Sequence, residues 1–412
     1  MTITRADCVA RDAADGLAQR RELFHLPKGV IYLDGNSLGV LPRNVPARVK
    51  AAVEREWGET LIKSWNEHGW FHLPRKIGNR LARLIGAEPD SVIVGDTISV
   101  NLFKILTSAL GHRRARKIIL SDSGNFPSDL YVAQGLTQFM ADGHELRVVA
   151  PEDVAASITP EVAVVMITEV DYRTSRRHDM KEITRLAHAA GALTIWDLAH
   201  SAGAVPVDLK GSEADFAVGC TYKYLNGGPG APGFLYVRPE LQNLVQPALV
   251  GWWGHARPFA FDLDFVAAPG IIRQQCGTQP ILSMTALDAA LDVWEGVGLQ
   301  EVHAKSKALC QLLITLVEEK NVRHGLKLSG LRDMDKRGSH VSFHCPDGYA
   351  VMQALIAQGV IGDFRMPDII RFGITPLYTS FADIWDAAEI LSQILDQQLW
   401  NKPEFLAKKA VT

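Results

Sequence analysis

The sequence predicts an α/β protein: a large domain on a mostly parallel sheet in α/β layers, then a smaller α/β C-terminal domain. Three observations predict this. Short β-branched runs alternate with helical patterns through the middle of the chain, as βα units do. The tail mixes strand and helix patterns again after a long helical stretch. The 412 residues suffice for one large domain and a smaller one, and 47% hydrophobic with 22% charged residues places the chain among ordinary globular proteins.

The elements follow in order. Residues 1–60 read as an irregular arm and a helix packing with the small domain; "NVPARVKAAVEREWGETL" has apolar residues at helical spacing, with Pro46 near its first turn. Residues 61–282 form the large domain. Its strands are "DSVIVGD", "RKIILSDS", "VAVVMITEV", "ALTIWDLAH", "ADFAVGC" and "GFLYVRP". Helical stretches such as "VNLFKILTSAL" and "DMKEITRLAHAAG" lie between them. Residues 283–412 form the small domain, where "GSHVSFHC" and "IIRFGITPLY" read as strands.

Charge and cysteine content exclude several classes. A formal net charge of −3 gives no global basic field for nucleic acid or an anionic membrane. The N-terminus carries charges throughout and lacks an apolar core, so it does not read as a secretory signal. No apolar run approaches the roughly 20 residues of a membrane span. Cys8, Cys220, Cys276, Cys310 and Cys345 are scattered and include no CxxC pair. That argues against a disulfide scaffold or a metal site and for a reducing cytoplasm.

Ligands of open parallel sheets gather at the carboxyl ends of strands. Thr97, Ser99, Asn125, Phe126, Asp129, Thr168, Glu169, Asp197, His200, Tyr222 and Lys223 all stand at such ends. Asp197 closes "IWD", and Lys223 follows one βα step later. A pyridoxal-phosphate enzyme needs a lysine for the aldehyde and an acid that keeps the pyridine nitrogen protonated. "GDTISVNLFK" offers a hydroxyl-rich turn before a helix, suited to a phosphate. Phe126 offers a flat partner for a ring. Each residue alone has a plainer reading. Asp197 fits a helix N-cap, Lys223 a snorkelling surface lysine, His200 a satisfied structural histidine, Phe126 a core residue and "GGPG" a turn. Their combination and order favour the chemistry.

Nearly end to end, the chain resembles the kynureninases, which are fold-type-I pyridoxal-phosphate enzymes. The resemblance rests on "YLDGNSLG" (32–39), "NFPSDLY" (125–131), "WDLAHSAGAVPVDL" (196–209), "GCTYKYLNGGPG" (219–230), "GWWGH" (251–255), "CGTQPI" (276–281), "RGSHVSF" (337–343) and "IRFGITPLY" (370–378). The strand-end Asp and Lys are generic to the fold type. "TYKYLNGGPG", "GWWGH" and "GNSLG" together are specific to the family.

The resemblance implies hydrolysis of L-kynurenine, or its 3-hydroxy analogue, to the anthranilate and L-alanine, in tryptophan catabolism. It implies pyridoxal 5'-phosphate as cofactor and Lys223, Tyr222 and Asp197 as catalytic residues. Thr97, Ile98, Phe126, Pro127, Ser128, Asp129, Thr168 and His200 would bind the cofactor. Trp252 and Thr278 would come from the neighbouring subunit of a homodimer. Arg371, Trp65 and Ser37 would bind substrate, Arg371 as a two-pronged clamp on the α-carboxylate. Ile98 departs from the hydroxyl residue common in bacterial relatives, so either its backbone makes the phosphate contact or Thr97 carries it alone. A cysteine desulfurase or an aminotransferase shares the Asp–Lys pair. Cys345 in "SFHCPDG" superficially suits a desulfurase, but it follows an apparent strand rather than a long loop. A non-catalytic pyridoxal-phosphate-binding regulator would carry an added DNA-binding module. "GHRRARK" (111–117) reads instead as a solvated helix end or loop.

Overall fold

The structure, a computed structural model, describes residues 3–407. After β1 (Ile31–Tyr32) come β2 (Val92–Val94), β3 (Ile118–Asp122), β4 (Glu145–Val149), β5 (Val162–Thr168), β6 (Leu193–Asp197), β7 (Phe216–Gly219) and β8 (Phe234–Val237). These last seven form one sheet in the order β2-β8-β7-β6-β5-β3-β4. β8 runs against both neighbours, and every other pair is parallel. β3, β5, β6 and β7 are buried along their whole length, as their continuous apolar runs demand. One apolar layer holds Val94, Trp196 and Ala217, and the other holds Ile93, Ile195 and Val218, so alternate residues of one strand face opposite layers.

The reversal of β8 positions the chemistry. A parallel strand would need a crossover back to the far edge of the sheet, whereas an antiparallel one is reached by a loop that stays at one edge. Residues 220–233 therefore remain at the carboxyl end of β7, with Lys223 among them. The step from Asp197 to β7 differs from the expected βα unit. Residues 198–215 are turns and bends with no helix. Their backbone is held by local bonds such as Ala202 N–H to Leu198 O and Val205 N–H to Ser201 O.

A second, antiparallel sheet has the order β12-β13-β10-β9. It comprises β9 (Lys327–Ser329), β10 (His340–His344), β12 (Asp363–Arg365) and β13 (Ile369–Gly373). β11 (Val360–Ile361) pairs in parallel with β1. The N-terminal helix Arg5–Ala13 packs on the helix Phe381–Asp396. Asp12 accepts from the first N–H groups of the latter, Phe381 at 2.7 Å and Ala382 at 3.0 Å. This is side-chain capping supplied from a distant segment.

The helical pattern expected from 282 begins at Ile281, but the change of core lies further on. Met284, Leu287 and Val302 pack with the large sheet, and Leu309 through Val317 pack with the small one, although Leu377 and Tyr378 return to the large core. The helix Leu299–Asn321 thus runs from one core into the other. No helix among the described residues is long and apolar enough to cross a membrane.

Candidate active site

A cavity of about 630 Å³ opens at the carboxyl ends of the large sheet, and the small sheet closes its other side. Lys223 borders it with Nζ 3.4 Å from His200 Nε2 and 5.9 Å from the Phe126 ring centre. The two tyrosines beside Lys223 face different surroundings. Tyr222 borders the cavity. Tyr224 is buried and donates its hydroxyl to Ser339 O at 3.0 Å, tying the lysine segment to the small domain side. Gly39 of "GNSLG" donates its N–H to Tyr222 O at 2.7 Å. A Cβ on Gly39 would collide with the backbone of Lys223 and Asn226, so only glycine permits this approach.

Asp197 ends β6 and is buried, with Oδ1 accepting from Ala199 N at 2.8 Å. Asp129 lies in the first turn of the helix Pro127–Met140, and its Oδ2 has no partner among the described residues. Burial pushes the Asp129 carboxyl well above its ordinary value, and Asp197 pushes it further. Burial also raises Asp197, while Lys223 opposes the rise. Burial drives His200 well below the usual histidine range, helped by Lys223 and Arg371, so its imidazole is neutral at ordinary pH. His340 lies 5.8 Å from His200, ring to ring, and burial likewise pushes it far down. Both of its ring nitrogens are buried without a partner among the described residues. Burial and the Cys220 thiol raise the Tyr222 phenol, keeping it protonated.

The helix Ile98–His112 points its start at the cavity. Thr97 caps it by accepting from Val100 N at 3.4 Å. Among the described residues the N–H groups of Ile98 and Ser99 have no acceptor, so the first turn keeps two donors for an anion. Ile98 packs its side chain against the apolar layer, which leaves its backbone to the cavity. A Cβ on Gly233 would sit 3.2 Å from Ile98 N and from Asn101 Nδ2, crowding the same cradle.

Phe126 caps the next helix and is 41% exposed, its ring edge-on to Tyr172 at 5.1 Å. Pro127 fixes the first helical φ, and Ser128 and Asp129 follow at the cavity wall. Thr168 stands beside Asp197 in register and donates to Val170 O at 3.1 Å, but it does not border the cavity. Thr278 borders the cavity of its own chain. Gly251 packs directly on the backbone of Cys276, which fixes where the following Thr278 enters. Trp65 and Trp252 stand apart from the cavity, each packed against Trp253 at 5.3 and 5.0 Å.

Arg371, on β13, is 1% exposed. It pairs with Asp363 through Nε at 2.8 Å and through Nη2, gives Nη1 to Tyr172 O at 2.5 Å, and gives Nη2 to Ser37 Oγ at 3.1 Å. The Asn36 amide oxygen, oriented to satisfy its neighbours, also faces Arg371. Sequence reasoning missed Asp363, Arg365 and Tyr172. The first two were readable from strand pairing: "GDFR" lies antiparallel to "IIRFG" with Asp363 opposite Arg371, and Arg365 shares that face by the period of two. Cys345 is buried, its thiol pushed up by burial to about 12, and it lines a separate small cavity with His324 and Trp400. It has none of the traits of a reactive thiolate.

Fold and site together define the class, an α/β protein with the architecture of the fold-type-I pyridoxal-phosphate enzymes. Solved structures share the fold. An apo cysteine desulfurase from Thermococcus onnurineus NA1 superposes with a TM-score of 0.77 at 20% identity, covering 92% of this chain and 98% of its own. The C-DES protein with glycine covalently linked to its PLP cofactor gives 0.79 at 18% identity, covering 90% and 98%. At sequence level, residues 302–391 match the kynureninase C-terminal domain model. The chain is 51% identical to the kynureninase of Pseudomonas fluorescens and 53% identical to that of Burkholderia mallei strain SAVP1, covering 99% of this chain and 100% of each relative. The chain belongs to the kynureninase family.

Proposed function

We propose that this protein hydrolyses the Cβ–Cγ bond of L-kynurenine to give anthranilate and L-alanine, with pyridoxal 5'-phosphate bound at Lys223. One observation carries the reading: Lys223, His200, Asp197 and Tyr222 meet at one cavity in a chain related to kynureninases along its whole length.

The cavity fits the cofactor. Two spare N–H groups at a capped helix start suit its phosphate, and buried Asp129 and Asp197 carboxyls with oxygens to spare suit its ring nitrogen. Thr97, Ile98, Ser128 and Thr278 would hold the phosphate end. Phe126 would lie on the ring, and Thr168 would back Asp197. When bound, the cofactor supplies an aldehyde for the substrate amine and an electron sink that acidifies bonds at the substrate's Cα and Cβ.

Lys223 takes the Cα proton once its amine is free, and His200, neutral and 3.4 Å away, positions it. Asp197 and Asp129 hold the charge of the ring nitrogen. Water adds to the γ-carbonyl carbon, the Cβ–Cγ bond breaks, and its electron pair stays on Cβ to be protonated. Tyr222, a protonated phenol at the cavity wall, delivers that proton. Arg371 and Ser37 orient the α-carboxylate. In Tyr222→Phe, anthranilate release should slow roughly 10²- to 10⁴-fold at saturating cofactor; full turnover there would reduce Tyr222 to a phosphate anchor.

The protein acts as a homodimer in the cytoplasm. The exposed Trp252, Phe259, Phe261 and Leu263 support a subunit contact, and five free cysteines support a reducing compartment. Sedimentation of an active monomer would refute the dimer. The decisive assay loads the protein with pyridoxal phosphate, adds L-kynurenine and follows anthranilate fluorescence. No fluorescence ends the proposal.

A further inference from the structure

Arg371 is too fully engaged to clamp a carboxylate with two prongs. A guanidinium has five N–H donors. Nε and one Nη2 hydrogen go to Asp363, the second Nη2 hydrogen goes to Ser37, and one Nη1 hydrogen goes to Tyr172 O. A single Nη1 hydrogen remains. Arg365 borders the same cavity and is differently placed. Its Nη2 serves Asp363 at 2.7 Å and Ser37 at 3.3 Å. Its Nε is buried without a partner, and its Nη1 has none either among the described residues. The side chain is 39% exposed, so it has room to adjust where the buried Arg371 has none.

The charges point the same way. Two guanidiniums share one carboxylate, Asp363, which leaves one positive charge in surplus. The other carboxyl nearby, Asp34, is pushed up by burial and by Asp363, which weakens its claim on that surplus. One incoming carboxylate would balance the group.

We propose that Arg365 is a second substrate-binding residue: the α-carboxylate is held jointly by the last Nη1 hydrogen of Arg371 and by the unpaired donors of Arg365. Arg371 is the fixed post, and Arg365 closes the grip. The proposal rests on the reading that an α-amino acid is the substrate.

The test titrates the pyridoxal-phosphate-loaded enzyme with L-alanine and with L-alaninol, which lacks the carboxylate, following visible absorbance. It needs no turnover, so it stands or falls separately from kynurenine hydrolysis. In Arg365→Gln, L-alanine should bind on the order of 10- to 100-fold more weakly, the span for losing a hydrogen bond to a charged group, with L-alaninol within about 2-fold of the parent. Arg365→Lys keeps the charge without the Nε donor and should fall between. Unchanged L-alanine binding overturns the proposal. So does an equal loss for both ligands, which would make Arg365 a mere support for Asp363. In the same variants the KM for kynurenine should rise more than kcat falls.

Discussion

Two charged regions face each other across the cavity, and they are built on opposite principles. At the strand ends of the large sheet, Lys223 is half-buried and Asp197, Asp129 and His200 are buried, all with few partners, and burial shifts the carboxyls up and the imidazole down. Across the cavity, Arg371, Asp363, Ser37 and Asn36 satisfy one another almost completely. Groups that exchange protons and bonds need free valences and perturbed acidity. Groups that only orient a ligand need locked positions. The first region should therefore yield rate when disturbed, and the second should yield binding and stability.

Lys223→Ala breaks the comparison most severely. Turnover should fall by on the order of 10⁴-fold or more, since both the attachment point and the base are lost. Borohydride should no longer fix cofactor to the protein; label retained on another lysine would overturn the assignment. Folding stability should change little.

Next comes a matched pair. Asp197→Asn should lower kcat by about 10²- to 10³-fold, the scale for losing one preorganised electrostatic partner, with a nearly unchanged urea midpoint. Asp363→Asn should do the reverse in emphasis. It strands the buried Arg371 and should cost about 3 kcal/mol of stability, read from urea unfolding. If Asp197→Asn proved the less stable of the two, the division between the regions would be wrong.

The smallest effect is in pH. His200 and His340 sit below the unfolded histidine value of about 6.5. As pH falls below that value the unfolded chain takes up protons that the folded chain refuses. Stability from this source is therefore intact above about 6.5 and lost on acidification, by about 1.4 kcal/mol per pH unit for each histidine. His340→Gln should flatten the acid limb of stability against pH; an unchanged slope would show that His340 is protonated in the fold.

Much of this was legible in the sequence. Strands such as "VAVVMITEV" carry continuous apolar runs that only a buried parallel sheet uses, and the order of Asp197 and Lys223 marks the end of the sheet where the cavity lies. What was hidden depends on strand direction and pairing. The reversal of β8 leaves no mark in "GFLYV", because hydrophobic alternation is blind to polarity. The saturation of Arg371 arises from Ser37, Tyr172 and Asp363, which are distant in sequence, so its motif reads the same whether the fork is free or spoken for. The core switch inside Leu299–Asn321 was invisible for a related reason: a helix keeps one period whichever core it serves.

That helix has a mechanical meaning. At about 1.5 Å per residue its 23 residues make a beam some 35 Å long, anchored at its two ends in separate cores. Cross-ties join the same two halves: Tyr224 to Ser339 and Arg371 to Tyr172. Lys223 on one half and Arg371 on the other therefore stand like the jaws of a caliper with its screw tightened. A caliper of this kind gauges length. On the proposed reading, amino acids whose carboxylate and amine match the gap would seat their Cα at the lysine, and longer or shorter backbones would miss it however well their side chains fit.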